Sequence, residues 1–483
     1  MLFNDLREFI AEVERQGEYQ LVKGADWDLE IGAISELVSG TAKSPLLMFD
    51  EIKGYPAGYR VAANLFTTPR RQALALGLPP EARGLELVKA FREREKDGVK
   101  LVPPSVAKKA PVKENIQMGD QVDLLKFPTP KWHELDGGRY IGTGAMTILR
   151  DPDEGWVNLA AQRVQVHDKT TATIYMAPGR HNAIIRQKYW DKGQSCPAAV
   201  ACGQEPLLWS MATRRLPWGV PDYDFYGGLR GKPVEVIPGP TTGLPIPATA
   251  ELVLEGEVVP PEVETRKEGP FGEWLGYYAG GEKPEAAFRV KCVLHRNNPI
   301  IQGNPPSVLP PIWTVGWHIQ KSAVLWNELD RQIPGVKGVW MMDDAACQSI
   351  PVIAIKQEYE GHASQAAMVA LGCAETGPWA ACRYVIIVDD DIDPTNVSEV
   401  LWALASRADP ETSLDIIRSF RSTKTDPALS PDKRRRGDLS HSSAVIRAIK
   451  PYHWIKEYPP SVKGSPGLMK KTRDKWSKIL NLD

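Results

Sequence analysis

From about residue 115 to residue 305 the chain is made of short apolar or alternating runs, each cut off by glycine or proline. Ala145-Met-Thr-Ile-Leu149, Ala250-Glu-Leu-Val-Leu254 and Phe288-Arg-Val-Lys-Cys-Val-Leu294 are typical. A helix needs a longer unbroken pattern with apolar residues every three or four positions, and these runs are too short for it. Short strands joined by turns satisfy the pattern, so the stretch is expected to be a largely antiparallel sheet or barrel. Forty glycines and forty-one prolines are spread along the chain rather than clustered, which points to many turns and away from disorder.

The flanks read differently. Asn4 is positioned to cap an opening helix with Leu6, Phe9, Ile10 and Val13 on one face and Gly17 at its end. Residues 29–39 repeat the pattern with Ile31, Ile34, Leu37 and Val38, and Pro45-Leu-Leu-Met-Phe49 reads as a buried strand. The first hundred residues are thus expected to form a small α/β domain, ending in a charged helix near 85–97 and the break Leu101-Val-Pro-Pro-Ser105. Beyond the barrel region, 314–329 and 363–371 read as helices. Arg383-Tyr-Val-Ile-Ile-Val388 reads as a buried parallel strand that ends in Asp389-Asp-Asp-Ile-Asp393 and leads to a helix over 396–407.

At 483 residues the chain has room for roughly two to four domains. Fifty-nine basic and sixty acidic side chains leave a net charge of −1, so no global field favours nucleic acid or an anionic membrane. Six scattered cysteines contain no C-x-x-C pair, arguing against a disulfide framework or a structural zinc site. The acidic N-terminus and the lack of a long apolar run make a reducing cytoplasm the expected location. Fifteen tryptophans suit either a packed core or aromatic walls around a flat ligand.

Glu268-Gly-Pro-Phe-Gly-Glu273 is the most specific segment. Pro270 lacks an N–H, and Gly269 and Gly272 permit conformations closed to other residues, so the segment is a stiff loop presenting two acids. Close like charges push their pKa values apart, which is equipment for proton transfer; the competing reading is a solvated turn with two unrelated acids. Arg163 follows Trp156-Val-Asn-Leu-Ala-Ala-Gln162, which looks like a barrel strand. If the strand is half buried, Asn158 and Arg163 face opposite sides unless a bulge intervenes, and an inward-facing Arg163 demands Glu268 or Glu273 as partner. Asp389, Asp390, Asp391 and Asp393 lack the glycine and terminal Glu of a calcium loop and read as a solvated strand end. His181 lies in the turn-rich Ala177-Pro-Gly-Arg-His181, and Lys433-Arg-Arg-Arg436 is a short basic run. No P-loop, G-x-S-x-G or G-x-G-x-x-G signature supports a kinase, α/β-hydrolase or dinucleotide dehydrogenase.

Together these segments resemble the UbiD-like decarboxylases, which use prenylated FMN. The resemblance rests on Asn158-Leu-Ala-Ala-Gln-Arg163-Val-Gln-Val-His-Asp168 and Glu268-Gly-Pro-Phe-Gly-Glu273-Trp-Leu-Gly-Tyr277. It extends through Phe127-Pro-Thr-Pro130, Gly137-Gly-Arg-Tyr140, Pro247-Ala-Thr-Ala-Glu251-Leu-Val-Leu-Glu-Gly256, Asp389–Asp393 and Leu401-Trp-Ala-Leu404. It implies an α/β fold with a β-barrel (α+β): a small N-terminal α/β domain (1–112), a central split β-barrel that binds the flavin (113–308) and a linker helix (309–330). A C-terminal α/β oligomerisation domain (331–450) and a tail with a helix (451–483) complete it.

The resemblance further implies a catalytic network of Arg163, Glu268 and Glu273, with Glu273 protonating the carbon that CO₂ leaves. Asn158, His181 and an acid of the 219–228 loop would hold Mn²⁺ (or Mg²⁺) against the flavin phosphate, beside a bound K⁺. The family commonly has Glu at the third position; here Asp222 aligns, about one carbon shorter, with Asp224 and Glu235 as alternatives. Expected besides are an aromatic, heteroaromatic or α,β-unsaturated acid as substrate, reversibility at high CO₂, a flavin prenyltransferase as cofactor supplier and a homodimer or homohexamer. Trp313, Trp317 and Trp379 lie near segments that line the pocket in relatives and favour a ring substrate. The alternative is a glycoside hydrolase using Glu268 and Glu273 as its carboxylate pair.

Overall fold

The opening helix spans Leu6–Arg15 and buries Leu6, Phe9, Ile10 and Val13, the residues its period puts on one side. Its cap is Asp5 rather than Asn4: Asp5 Oδ1 accepts from the Glu8 backbone N–H at 2.8 Å, while the Glu8 carboxylate reaches back to the Asn4 N–H at 2.7 Å. Gly17, at φ 73°, follows its end. The next helix, Glu30–Ser39, buries Ile31, but Leu37 is 78% exposed, contrary to the amphipathic reading. The helix docks through Gly32, Ser35 and Ser39 instead, because Gly32 lies so close to the Trp132 backbone that any Cβ would meet the Trp132 carbonyl oxygen at 1.8 Å. These details come from a computed structural model, which describes residues 2–41, 43–308, 316–342, 350–373 and 382–480.

The first sheet runs in the order Tyr19–Lys23, Leu46–Asp50, Arg60–Ala63, Ile300–Gln302. Its last strand arrives from the far side of the central region and lies parallel to Arg60–Ala63, stitching the two together.

Ten strands build the central sheet: β1 (Asn115–Met118), β2 (Arg139–Tyr140), β3 (Ala145–Arg150), β4 (Val157–Ala161), β5 (Val164–Val166), β6 (Thr171–Ile174), β7 (Cys196–Cys202), β8 (Leu252–Val258), β9 (Thr265–Glu268) and β10 (Lys283–His295). The order is β2-β5-β6-β10-β8-β7-β3-β4, with β1 and β9 also on β10, and every pair is antiparallel. β4 ends one edge and β5 is next to the other, yet only Gln162 and Arg163 join them. An extended chain covers at most about 3.5 Å per residue, so the gap from Ala161 to Val164 is no more than about 11 Å. The sheet must curl until its edges almost meet, and Gln162-Arg163 crosses the remaining split.

The C-terminal sheet runs Val336–Met341, Pro351–Ile355, Tyr384–Asp389, Ser440–Ala448, Leu414–Arg421. Tyr384–Asp389 is parallel to both neighbours and buried along most of its length, as its continuous apolar run requires. Helices Trp317–Gln332, His362–Gly372 and Val397–Arg407 accompany the sheet. Two of the four aspartates after Val388 are held by cations of the same chain: Arg407 bonds Asp389 at 2.6 Å and Asp391 at 2.7 Å, and Lys450 bonds Asp391 at 3.0 Å. Among the described residues no helix is long and apolar enough to cross a membrane.

Candidate active site

A cavity of about 470 Å³ opens at the split. Asn158 and Arg163 both line it, so the expectation that they face opposite sides fails. The strand stops at Ala161, and the two residues that bridge the edges need not keep the strand's alternation.

Arg163 is the hub. Its Nε donates to Glu268 Oε1 at 2.7 Å and its Nη2 to Glu268 Oε2 at 2.9 Å, a bidentate fork, while Nη1 donates to Glu273 Oε1 at 2.6 Å. Glu268 closes β9, which pairs with β10, so the sheet fixes it; Glu273 stands on the loop beyond. That loop approaches the chain at Gly137 so closely that a Cβ there would lie 1.9 Å from the Gly269 carbonyl oxygen, and the Gly137 N–H donates to Pro270 at 2.8 Å. The glycine pair ahead of Tyr140 is therefore a packing requirement. Gln165 Oε1 accepts from the Tyr140 hydroxyl at 3.1 Å and from the Gly269 N–H at 3.0 Å, tying β2 and β5 to the loop.

Burial sets the electrostatics. The side chains of Glu268, Arg163 and Glu273 are 1%, 11% and 13% exposed. Burial works against the Arg163 cation, but Glu273 and Glu268 outweigh it and raise its pKa, so it stays charged. Burial raises the Glu273 pKa above the usual carboxyl range; Arg163 opposes this and Glu268 adds to it. The guanidinium gives two donors to Glu268 and one to Glu273, so Glu273 is the more loosely held of the two acids.

At the other end of the cavity Asn158 Oδ1 lies 3.1 Å from His181 Nδ1, and Asn158 Nδ2 donates to Asn182 at 2.8 Å. His181 is the first residue of the helix His181–Asp191, not part of a turn. Burial, Arg215 and Arg180 lower its pKa and keep the ring neutral, the state in which imidazole binds metal. Asp222 opens the helix Asp222–Arg230 and is 3% exposed. It sits behind β4 rather than on the cavity wall, accepts from the Leu159 N–H at 2.8 Å, and burial pushes its pKa up to about 8. A carboxyl this deeply buried would be stabilised as an anion by a cation beside it. The Asn158 oxygen and the neutral His181 imidazole meet at the cavity wall as donors that suit a divalent ion, while Asp222 bonds the residue next to Asn158 from behind the strand. Asp224, half-buried, and Glu235, exposed at a strand start, are not brought to this wall.

Sequence reasoning overlooked the cations around His181. Arg180, Arg215, Arg421 and Lys424 all line the cavity. Burial and the charges of Arg215 and Arg421 hold Arg180 down to about 8, crowding that an anion would relieve. Arg180 adjoins His181 and was open to suspicion; Arg421 comes from a distant strand and carried no local signal. Trp317 lines the cavity as expected, whereas Trp313 and Trp379 lie outside the described residues. The basic run is partly absorbed by the fold, since Arg434 donates to Ala279 at 2.8 Å and Lys433 to the Ser440 carbonyl at 2.7 Å.

The sequence matches the N-terminal, Rift-related and C-terminal domains of 3-octaprenyl-4-hydroxybenzoate carboxy-lyase over residues 10–91, 105–308 and 315–448. The chain belongs to the UbiD family of carboxy-lyases. It is 34% identical over 466 residues to pyrrole-2-carboxylic acid decarboxylase of Pseudomonas aeruginosa, covering 92% of this chain and 91% of that one. It is 30% identical to phenolic acid decarboxylase of Bacillus subtilis, covering 89% and 90%. Among solved structures, the open form of Sedimentibacter hydroxybenzoicus vanillic acid decarboxylase superposes with a TM-score of 0.84 at 26% identity, covering both chains fully. The UbiD-class enzyme HmfF from Pelotomaculum thermopropionicum in complex with FMN gives 0.82 at 29%, covering 96% and 98%. The glycoside hydrolase alternative finds no support: the two carboxylates share one guanidinium instead of flanking a sugar-sized gap, and the relatives are decarboxylases.

Proposed function

We propose that this chain removes CO₂ from an aromatic, heteroaromatic or α,β-unsaturated carboxylic acid with prenylated FMN bound in the cavity, and that Glu273 is the proton donor. The observation that carries the reading is the division of Arg163 between a bidentate Glu268 and a singly bonded Glu273. HmfF, of the same family, is known with FMN and, in an evolved dimeric form, with prenylated FMN. The relatives named for pyrrole-2-carboxylic and phenolic acids favour a ring substrate.

When bound, the cofactor supplies an electron sink for the bond that breaks as CO₂ leaves. Arg163 orients the substrate carboxylate from the split. Ala160, Ala161, Ala177 and Phe271 give an apolar lining that excludes water and favours neutral CO₂ over the carboxylate. Glu273 delivers its proton to the carbon that lost CO₂, and in the reverse direction the same oxygen takes it back. Glu268 keeps Arg163 in place and, through its charge, keeps Glu273 ready to rebind a proton.

Asn158, His181 and Asp222 would hold Mn²⁺ or Mg²⁺ against the cofactor phosphate, with Arg180, Arg215 and Arg421 neutralising its remaining charge and K⁺ bound nearby. A flavin prenyltransferase would supply the cofactor, and a cytoplasmic homodimer or homohexamer is the assembly this reading favours. Co-expression with a flavin prenyltransferase should give a protein with a flavin spectrum that releases CO₂ from pyrrole-2-carboxylate or 4-hydroxybenzoate. A protein that retains no flavin after such co-expression contradicts the reading. His181→Ala should lose metal and flavin together, measured by elemental analysis and absorbance; retention of both would remove His181 from the metal site.

A further inference from the structure

One aromatic ring meets both the catalytic arginine and a lysine. The Arg163 guanidinium lies 4.3 Å from the centre of the Tyr175 ring, and Lys283 Nζ lies 3.4 Å from the same centre. The sheet dictates this meeting. β6 pairs with β5 with Ile174 opposite Val164, and the next rung is a hydrogen bond from the Tyr175 N–H to the Arg163 carbonyl at 3.1 Å. On the other side β10 begins at Lys283, directly opposite Glu268 in β9. Lys283 is itself anchored: Glu285, two residues on and on the same face, lies 3.4 Å from its Nζ and is held by Arg186 at 3.0 Å.

We propose that Tyr175 and Lys283 are positioning residues for the Arg163–Glu268–Glu273 network, the ring holding the guanidinium between its two carboxylates and Lys283 sharing their negative charge. The inference rests on the proton-donor reading of Glu273. A cation over an aromatic face is attracted by the ring's negative quadrupole, so Tyr175 restricts a guanidinium that must serve two acceptors at once. The charged groups that face Glu273 are Arg163 from the β4–β5 crossing, Glu268 from β9 and Lys283 from β10, with the Tyr175 hydroxyl at the end of β6. Two carboxylates against Arg163 alone would leave the site net negative. Lys283 is the second cation, and it lowers the proton affinity of Glu273 as Arg163 does, against burial and Glu268. Neither residue needs to touch the substrate to act in this way.

Infrared titration of the purified holoprotein tests the proposal without relying on turnover, with the carboxyl band that Glu273→Gln removes taken as Glu273. Lys283→Met should move the midpoint of that band upward by about one pH unit, a tenfold change in proton affinity. Lys283→Arg should leave it within a few tenths of a unit, which a purely structural role for the side chain would not require. In CO₂ release from pyrrole-2-carboxylate, Tyr175→Leu should lower kcat about tenfold with little change in KM, and Tyr175→Phe, which keeps the ring, should stay within about twofold. An unmoved midpoint in Lys283→Met overturns the role of Lys283, and equal kcat in Tyr175→Leu and wild type overturns that of Tyr175. A midpoint that moves as expected in a protein that releases no CO₂ from any acid contradicts the proton-donor reading and leaves the positioning inference standing.

Discussion

Two arginines in this molecule each hold a pair of carboxylates, and one acid of each pair, Glu273 and Asp391, is shifted in the opposite direction from the other. Arg163 grips Glu268 and Glu273 at the split of the barrel; Arg407 grips Asp389 and Asp391 at a strand end of the C-terminal sheet. Burial pushes both Glu273 and Asp391 toward the protonated form. At Asp391, 38% exposed at the side chain, hydrogen bonds from Arg407 and Lys450 overcome that push and hold the carboxyl at about 2. At Glu273, 13% exposed, burial wins over Arg163 and is helped by Glu268, so the pKa rises. The same ingredients hold an acid ionised where water and hydrogen bonds from two cations reach it, and raise its proton affinity where burial outweighs them.

The largest expected effect is at the barrel. Arg163→Met leaves two acids in one enclosed site, and holoenzyme turnover should fall at least about a hundredfold. A rate near wild type would show that the network is not catalytic. Arg407→Met should do the reverse, costing about 3 kcal/mol in urea unfolding through the uncompensated Asp389 while leaving kcat unchanged. Lost activity at unchanged stability would exchange the roles of the two clusters.

The smallest effect is in acid. Asp391 falls from 3.8 in the unfolded chain to about 2 when folded, so its contribution is complete above about pH 4 and disappears as the pH falls through about 2. With the side chain more than a third exposed, solvent screening reduces that contribution to about 1 kcal/mol. Glu273 has the opposite sign, since its folded form binds the proton more tightly than the unfolded chain and ionising it at higher pH costs stability. Urea unfolding of Asp391→Asn against wild type should therefore converge near pH 2 and diverge by pH 5. A constant difference between them across that range would contradict the assignment.

The two clusters also differ in how they read from sequence. Short punctuated runs announced strands in the barrel region, and a near-continuous apolar run announced the parallel strand Tyr384–Asp389, because local periodicity carries both signals. The Glu268–Glu273 loop was legible because glycine and proline restrict backbone in a recognisable way. Asn158 and Arg163 on one wall were not, because their common orientation depends on where β4 stops and on the curl of the whole sheet. The helix Glu30–Ser39 misled for a related reason: close approach at Gly32 selected its buried face, and Leu37 was left outside. Arg421 and Lys424 reach the cavity from the C-terminal sheet, a meeting of segments that no local pattern encodes.

The most direct test of the account is CO₂ release by Glu273→Gln holoenzyme, prepared with flavin and metal contents matched to wild type. Removing a positioned proton donor should lower turnover by about 10²–10⁴-fold, with cofactor retention and unfolding free energy little changed. Turnover within a few-fold of wild type, from a protein equally loaded, would contradict Glu273 as the proton donor.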